Sequence, residues 1–288
     1  VIALALAGRL DFDPITDTIT APDGSKVSLA QPLGEVLPKD GYDPGAETFV
    51  APPADGSSIE IVVDPTSERL QLLEPFEKWD GNDFIFMPIL MKAKGKCTTD
   101  HISAAGKWLK FRGHLENISG NLFIGAVNAF TGAVGEGLDR SDYKTRTYPE
   151  IAKNYSKMQL QWCAIGDQNY GEGSSREHAA MEPRYRGARV IFARSFARFN
   201  ETNLKKQGVL PLTFANPDDY DKIDEKDTIS VRGMPPVPDQ PVRCIIHKRG
   251  EIEIEIKALH TFSDEQVKWF KAGSALNVVR QKVLKSKK

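Results

Sequence analysis

Apolar and polar positions alternate most regularly near the C-terminus, where Ile252, Ile254 and Ile256 are separated by glutamates. A period of two predicts a strand with one buried and one wet face. This arm, Glu251–Lys257, follows Arg243–His247 across Arg249-Gly250, so the two predict a hairpin. The runs Leu160–Ile165 and Ala188–Ala193 are apolar without alternation, as expected of strands buried on both faces. Ile85–Lys92 predicts a further strand, with Pro88 placing it at a sheet edge or a bulge. Leu210–Phe214 and Thr228–Arg232 predict two more. Helical patterns fall at Tyr148–Lys157 and at Ser195–Lys206, the latter ended by Gly208. A last helix is capped by Ser263 with Gln266 completing a capping box. Its apolar stripe runs Val267, Phe270, Leu276, Val279, Val283 and Leu284, with a break at Gly273. Strands interleaved with helices define an α/β class.

The N-terminal part reads differently. Val1–Ala7 is apolar but far shorter than a membrane span, and no basic segment precedes it as in a signal peptide. It predicts a buried helix or strand cut from a longer polypeptide. Asp13-Pro14 and Asp23-Gly24 are turn signals. Pro32, Pro38, Pro44, Pro52, Pro53 and Pro65 then break any regular element. The expected organisation is the tail of a preceding α/β domain (1–31), a Pro/Gly-rich linker (32–67) and a mixed-sheet domain with flanking helices (68–288). Over 288 residues, 40% are hydrophobic and the net charge is −1, which gives a globular core without the basic excess of a nucleic-acid binder. The terminal Lys285-Ser286-Lys287-Lys288 reads as a solvated tail. The 3 cysteines, Cys97, Cys163 and Cys244, are widely spaced and form no CxxC pair, which argues against a disulfide framework.

Candidate chemistry concentrates at Gly171–Arg176, GEGSSR, which joins a buried strand to the helix-forming Ala179-Ala180-Met181. The glycines let backbone approach a ligand, and Ser174 or Ser175 is positioned to cap the helix. Free N–H groups at a helix start favour an anion, and Arg176 adds a planar fork suited to a carboxylate. A serine hydroxyl among such donors can act as a base, because its alkoxide is stabilised by the same field. Phosphate remains an alternative ligand, although no Walker GK[ST] follows. Gly95–Gly106 gathers a second group, with Asp100 and His101 candidates for proton transfer, and Arg112 follows within Phe111-Arg112-Gly113.

The segments Lys96–Gly106 (KCTTDHISAAG), Trp108–His114 (WLKFRGH), Gly166–Arg184 (GDQNYGEGSSREHAAMEPR) and Ser195–Phe214, with Gly273–Asn277 (GSALN), resemble the C-terminal portion of the aconitase family. Glu177-His178 favours the mitochondrial type. The resemblance implies a hydro-lyase that isomerises citrate to isocitrate through cis-aconitate in the mitochondrial matrix. It implies the swivelling β/β/α domain of that family, acting in a monomer together with upstream domains of the same polypeptide. By this likeness Ser174 is the base, Ser175, Arg176 and Arg112 bind substrate carboxylates, and Asp100, Ser103 and His101 line the site. The [4Fe-4S] cluster would be held by cysteines of upstream domains, with no metal ligand in this chain, and the chain alone would be inactive. Two alternatives stand beside this reading. One is the small subunit of an isopropylmalate or homoaconitate isomerase; the other is a non-catalytic anion-binding module.

Overall fold

A computed structural model describes residues 1–31, 34, 38, 41–43, 45–46, 48–53, 55–56 and 58–286, with the side chain of Ser286 left aside. Pro32 and Pro44 of the expected linker, and Lys287 and Lys288 of the expected tail, lie outside the described residues. The chain divides into two units, Val1–Glu60 and Ile61–Lys288. In the first unit, Ile2–Ala7 forms a helix (α1) that ends on Gly8 in the left-handed conformation. The apolar run is helical, as one of its two predicted forms, yet it is not buried: Ile2 and Leu6 are exposed. Asp23-Gly24 turns a short antiparallel hairpin of Thr18–Thr20 (β1) and Lys26–Ser28 (β2). No helix among the described residues is long and apolar enough to cross a membrane.

The second unit opens with the strand Phe84–Lys92 (β3), followed by the short helices Thr99–Ile102 (α2) and Leu115–Ile118 (α3). A two-stranded hairpin, Glu136–Asp139 (β4) and Lys144–Thr147 (β5), leads into the helix Tyr148–Lys157 (α4). Thr147 and Glu150 close a capping box at that start. Strand and helix then alternate through Trp162–Ile165 (β6), His178–Tyr185 (α5), Ala188–Ala193 (β7), Arg198–Lys206 (α6) and Leu210–Phe214 (β8). Thr228–Arg232 (β9), Val242–His247 (β10) and Glu253–Leu259 (β11) follow, and Asp264–Ala272 (α7) and Ala275–Ser286 (α8) end the chain.

Seven strands close a mixed barrel in the order β10-β11-β8-β7-β6-β3-β9. Strands β3, β6, β7 and β8 run parallel, and the antiparallel β9, β10 and β11 complete the ring. The uniformly apolar strands are apolar because both faces are covered. Cys163, Ile165, Val190 and Phe192 point into one core with Met87, Leu212 and Ile246. Trp162, Ala164 and Ile191 point into a second, against Tyr155 of α4 and Ala179 and Ala180 of α5. In β11 the expected alternation is present, with Ile256 and Ala258 buried and Glu255 and Lys257 exposed.

Of the two placements expected from Pro88, an edge or a bulge, the structure takes the second: β3 pairs with β6 on one side and β9 on the other, and its register shifts between Phe84 and Met87 and between Ile89 and Met91. Two expectations need correction. The helix expected from Ser195 starts at Arg198, because Ser195–Ala197 is spent on hydrogen bonds to the loop at Tyr170. The C-terminal helix breaks at Gly273 (φ +91) into α7 and α8 as expected, but its apolar stripe is not buried throughout. Val267 and Phe270 are buried, whereas Leu276, Val279, Val283 and Leu284 remain exposed.

Candidate functional site

Neighbouring parallel strands deliver their following loops to the same end of the barrel, which is where ligands of α/β sheets gather. The loop after β3 and the loop after β6 meet there in backbone pairing. Gly171 N–H donates to the Cys97 carbonyl at 2.7 Å, and Thr99 N–H donates to the Glu172 carbonyl at 2.9 Å. Lys96 bridges to Glu172 at 2.7 Å. The segment after β7 supports the assembly from the other side, with Tyr170 N–H donating to the Ser195 carbonyl at 2.9 Å.

Gly171 is required where it stands. Its φ is +79, and a Cβ there would lie 2.2 Å from the side-chain amide nitrogen of Asn200. The loop beyond it holds Ser174 and Ser175 exposed. The buried Thr99 hydroxyl donates to the Ser174 carbonyl at 2.9 Å and so fixes the backbone of the candidate base. The Ser174 hydroxyl itself has no protein partner among the described residues. Backbone N–H groups of Gly173, Ser174, Ser175 and Arg176 also find no acceptor among them. These donors belong to the loop and not to a helix start: α5 begins at His178 with Glu177 at its cap, so neither serine caps it. The expectation of a serine cap fails because the loop is longer than a capping turn.

Arg176 and Asp100, distant in sequence, form a bidentate pair with NH1–Oδ1 at 2.5 Å and NH2–Oδ2 at 2.9 Å. Arg176 NH1 also donates to the Ser103 carbonyl at 3.0 Å. The hydrogen bond from Arg176 holds the Asp100 carboxyl below its usual range. Nε–H and one NH2 hydrogen of Arg176 remain for a ligand. Asp100 therefore does not pair with His101 for proton transfer. The His101 ring is turned inward, with Nδ1 near the Lys96 carbonyl at 3.2 Å and the Thr98 N–H at 3.3 Å, where it closes the capping box of α2. The Ser103 hydroxyl also points inward and donates to Glu182 at 2.6 Å.

Arg112 is exposed, with Nε donating to the Leu109 carbonyl at 3.2 Å. His178, at the start of α5, places Nε2 2.9 Å from the Arg112 carbonyl. A carbonyl can only accept, so Nε2 carries the proton. The structure thus brings Asp100, Ser103, Thr99 and the Ser174–Arg176 loop into one network and ties the Arg112 backbone to the adjoining helix. Thr99, His178 and Glu182 escaped sequence reasoning, since each looks like an ordinary polar residue of a short helix.

No group of three His, Cys, Asp or Glu side chains suited to a metal ion occurs among the described residues. All three cysteines are free and buried. Burial pushes the Cys97 thiol up to about 12 and those of Cys163 and Cys244 higher still. Such thiols do not suit an iron–sulfur cluster, which is held by accessible thiolates.

The fold and its site define an α/β barrel domain that presents a glycine–serine–arginine loop with unpaired backbone donors at the end of its parallel strands. Residues 87–217 match the family described as the aconitase C-terminal domain. Three curated relatives extend that likeness over nearly the whole chain. A Caenorhabditis elegans protein named probable aconitate hydratase, mitochondrial, is 54% identical over 99% of this chain. The mitochondrial aconitate hydratases of Gracilaria gracilis and Saccharomyces cerevisiae are each 52% identical over 97% of it. The chain spans 36% of the length of each of these relatives. A solved 3-isopropylmalate dehydratase structure from Methanocaldococcus jannaschii is 18% identical, with a TM-score of 0.44 over 68% of this chain and 95% of its own.

Proposed function

We propose that this chain is the C-terminal portion of a mitochondrial aconitate hydratase, a hydro-lyase interconverting citrate, cis-aconitate and isocitrate, and that it supplies half of the active site. In this reading residues 68–288 form the swivelling domain, 32–67 the linker and 1–31 the tail of the preceding domain, in a protein that works as a monomer. The observation that carries the proposal is the clamp on the Ser174 loop: Thr99 fixes its backbone, and Asp100 with Ser103 fixes Arg176. Ser174, as its alkoxide, takes the carbon-bound proton of the substrate and becomes the hydroxyl, and returns that proton in the reverse direction. Unpaired loop N–H groups stabilise that alkoxide. Ser175, the free edge of Arg176, and Arg112 hold substrate carboxylates. His101, held through Nδ1 at the Lys96 carbonyl and the Thr98 N–H, lines the site with Asp100 and Ser103.

The [4Fe-4S] cluster implied by the family finds no fitting ligands among the buried cysteines here, so the proposal assigns it to the rest of the polypeptide. Relatives named as mitochondrial aconitate hydratases, matched over almost all of this chain, favour this reading over an isomerase small subunit or a binding module. The test uses the intact protein. Ser174→Ala should lower kcat by about 10²–10⁴-fold, with KM changed only a few-fold, and should abolish solvent exchange of the substrate proton. The isolated 288-residue chain should show no turnover. Isomerisation of citrate by that chain alone, or an unimpaired Ser174→Ala enzyme, would refute the proposal.

A further inference from the structure

Glu182 lies on α5 with 0% of its surface exposed, a rare position for a carboxyl group. Its Oε1 accepts the Ser103 hydroxyl proton at 2.6 Å, and its Oε2 has no partner among the described residues. The nearest cation, Arg186, is committed to Glu116 through both terminal nitrogens, at 2.9 and 3.0 Å. Burial pushes the Glu182 carboxyl well above its ordinary range, against the opposing pull of Ser103 and Arg186. In its neutral form such a carboxyl accepts the Ser103 proton as an amide oxygen would.

The same Ser103 whose hydroxyl is held by Glu182 offers its backbone carbonyl to Arg176. Arg176 is thus aimed by two contacts, one to the exposed Asp100 and one to a residue locked into the core. We propose that Glu182 is a positioning residue, which fixes the Ser103 carbonyl and through it the Arg176 guanidinium that grips a substrate carboxylate. The inference rests on the reading of this loop as a tricarboxylate site. Asp100 alone leaves the arginine free to swing with a solvated partner; the buried arm removes that freedom before substrate arrives.

The experiment measures KM and kcat for citrate in the intact protein. Glu182→Leu keeps the approximate volume and removes the acceptor, so KM should rise about tenfold with kcat nearly unchanged, the pattern of lost uniform binding. Glu182→Gln keeps an acceptor oxygen and should restore KM to within about twofold of the parent. Ser103→Ala should resemble Glu182→Leu, and the double variant should be no worse than either alone, because both cut one arm. An unchanged KM in Glu182→Leu, failure of glutamine to rescue, or multiplying effects in the double variant would overturn the proposal. Should Glu182→Leu fail to fold, Ser103→Ala decides: an unchanged KM refutes the arm. A parent protein without turnover sinks the underlying reading and takes this inference with it.

Discussion

Replacing Gly171 by alanine tests how tightly the candidate loop is seated. The residue has φ +79, and the added Cβ would meet the Asn200 amide nitrogen at 2.2 Å. Asn200 is 1% exposed and cannot step aside, since Ala197 N–H, at the head of α6, is tied to the Tyr170 carbonyl at 2.9 Å. Gly132 supplies the comparison, with φ +77 and nothing within 4 Å of its ideal Cβ. Gly132→Ala should cost only the left-handed backbone, about 1–2 kcal/mol. Gly171→Ala adds overpacking of about 1–3 kcal/mol, for a total of about 2–5 kcal/mol. All 4 tryptophans, Trp79, Trp108, Trp162 and Trp269, fall in the Ile61–Lys288 unit, so their fluorescence in urea reports its unfolding alone. At a slope of about 2 kcal/mol per molar urea, Gly171→Ala should melt about 0.5–1.5 M earlier than Gly132→Ala. Adding Asn200→Gly removes the amide, which makes no hydrogen bond of its own, together with the Asn200 Cβ that would lie at 2.5 Å, and should narrow that gap. Equal midpoints for the two glycine variants, or no relief from the second change, would refute the steric reasoning.

Two acids should act on stability with opposite pH signs. The lowered pKa of Asp100 stabilises the fold above the ordinary value of 3.8, and that contribution is lost as pH falls through the lowered one. With Asp100 largely exposed, Asp100→Asn should cost only about 0.5–1 kcal/mol at pH 7, and the difference should fade in acid. Glu182 is raised, so its contribution is complete below the ordinary 4.5 and declines as pH rises above it. Glu182→Gln should therefore gain on the parent between about pH 5 and 8. Urea midpoints from about pH 2 to 8 check both, and a gap that moves the other way contradicts the assignment. The cysteines make a separate prediction: a thiol reagent at pH 8 should label none of Cys97, Cys163 and Cys244 in the native chain and all of them in urea, whereas rapid native labelling would contradict their burial.

Much of the barrel was legible because its strands carry their burial in their spelling. Trp162–Ile165 and Ala188–Ala193 are apolar on both sides since both sides face cores, and the Ile–Glu alternation of β11 marks one wet face. Pro88 indicated an edge or a bulge, and only the three-dimensional pairing decides for the bulge, since β3 keeps a neighbour on each side while its register shifts before and after the proline. The hairpins β1–β2 and β4–β5 have arms too short to show a period. At the site, the glycines, serines and arginine of GEGSSR mark a loop of exposed donors, and the unpaired N–H groups of Gly173–Arg176 among the described residues agree with that much. The Asp100–Arg176 pair spans 76 residues, and no local pattern encodes a contact of that range. Glu182 lies in EHAAMEPR, where an acid reads as solvent-facing; only the packed helix shows that it is sealed against Ser103.

The ring in which β3 lies between β6 and β9 has a consequence for how the chain is made. Phe86 N–H bonds the Ser230 hydroxyl across 144 residues. Translation runs from the N-terminus, so β3 is synthesised with one edge vacant and stays so until β9 has left the ribosome. For that interval a nine-residue, largely apolar strand exposes unpaired backbone, a template for pairing with a neighbouring chain. Every loop of the candidate site hangs from this strand or its parallel partners, yet the last stave of the barrel is cut from sequence beyond Thr228. A message truncated before that point would encode each residue of the loop network and still yield an open, adhesive sheet. Quality control of this protein is therefore decided at its far end, by strands that carry none of its chemistry.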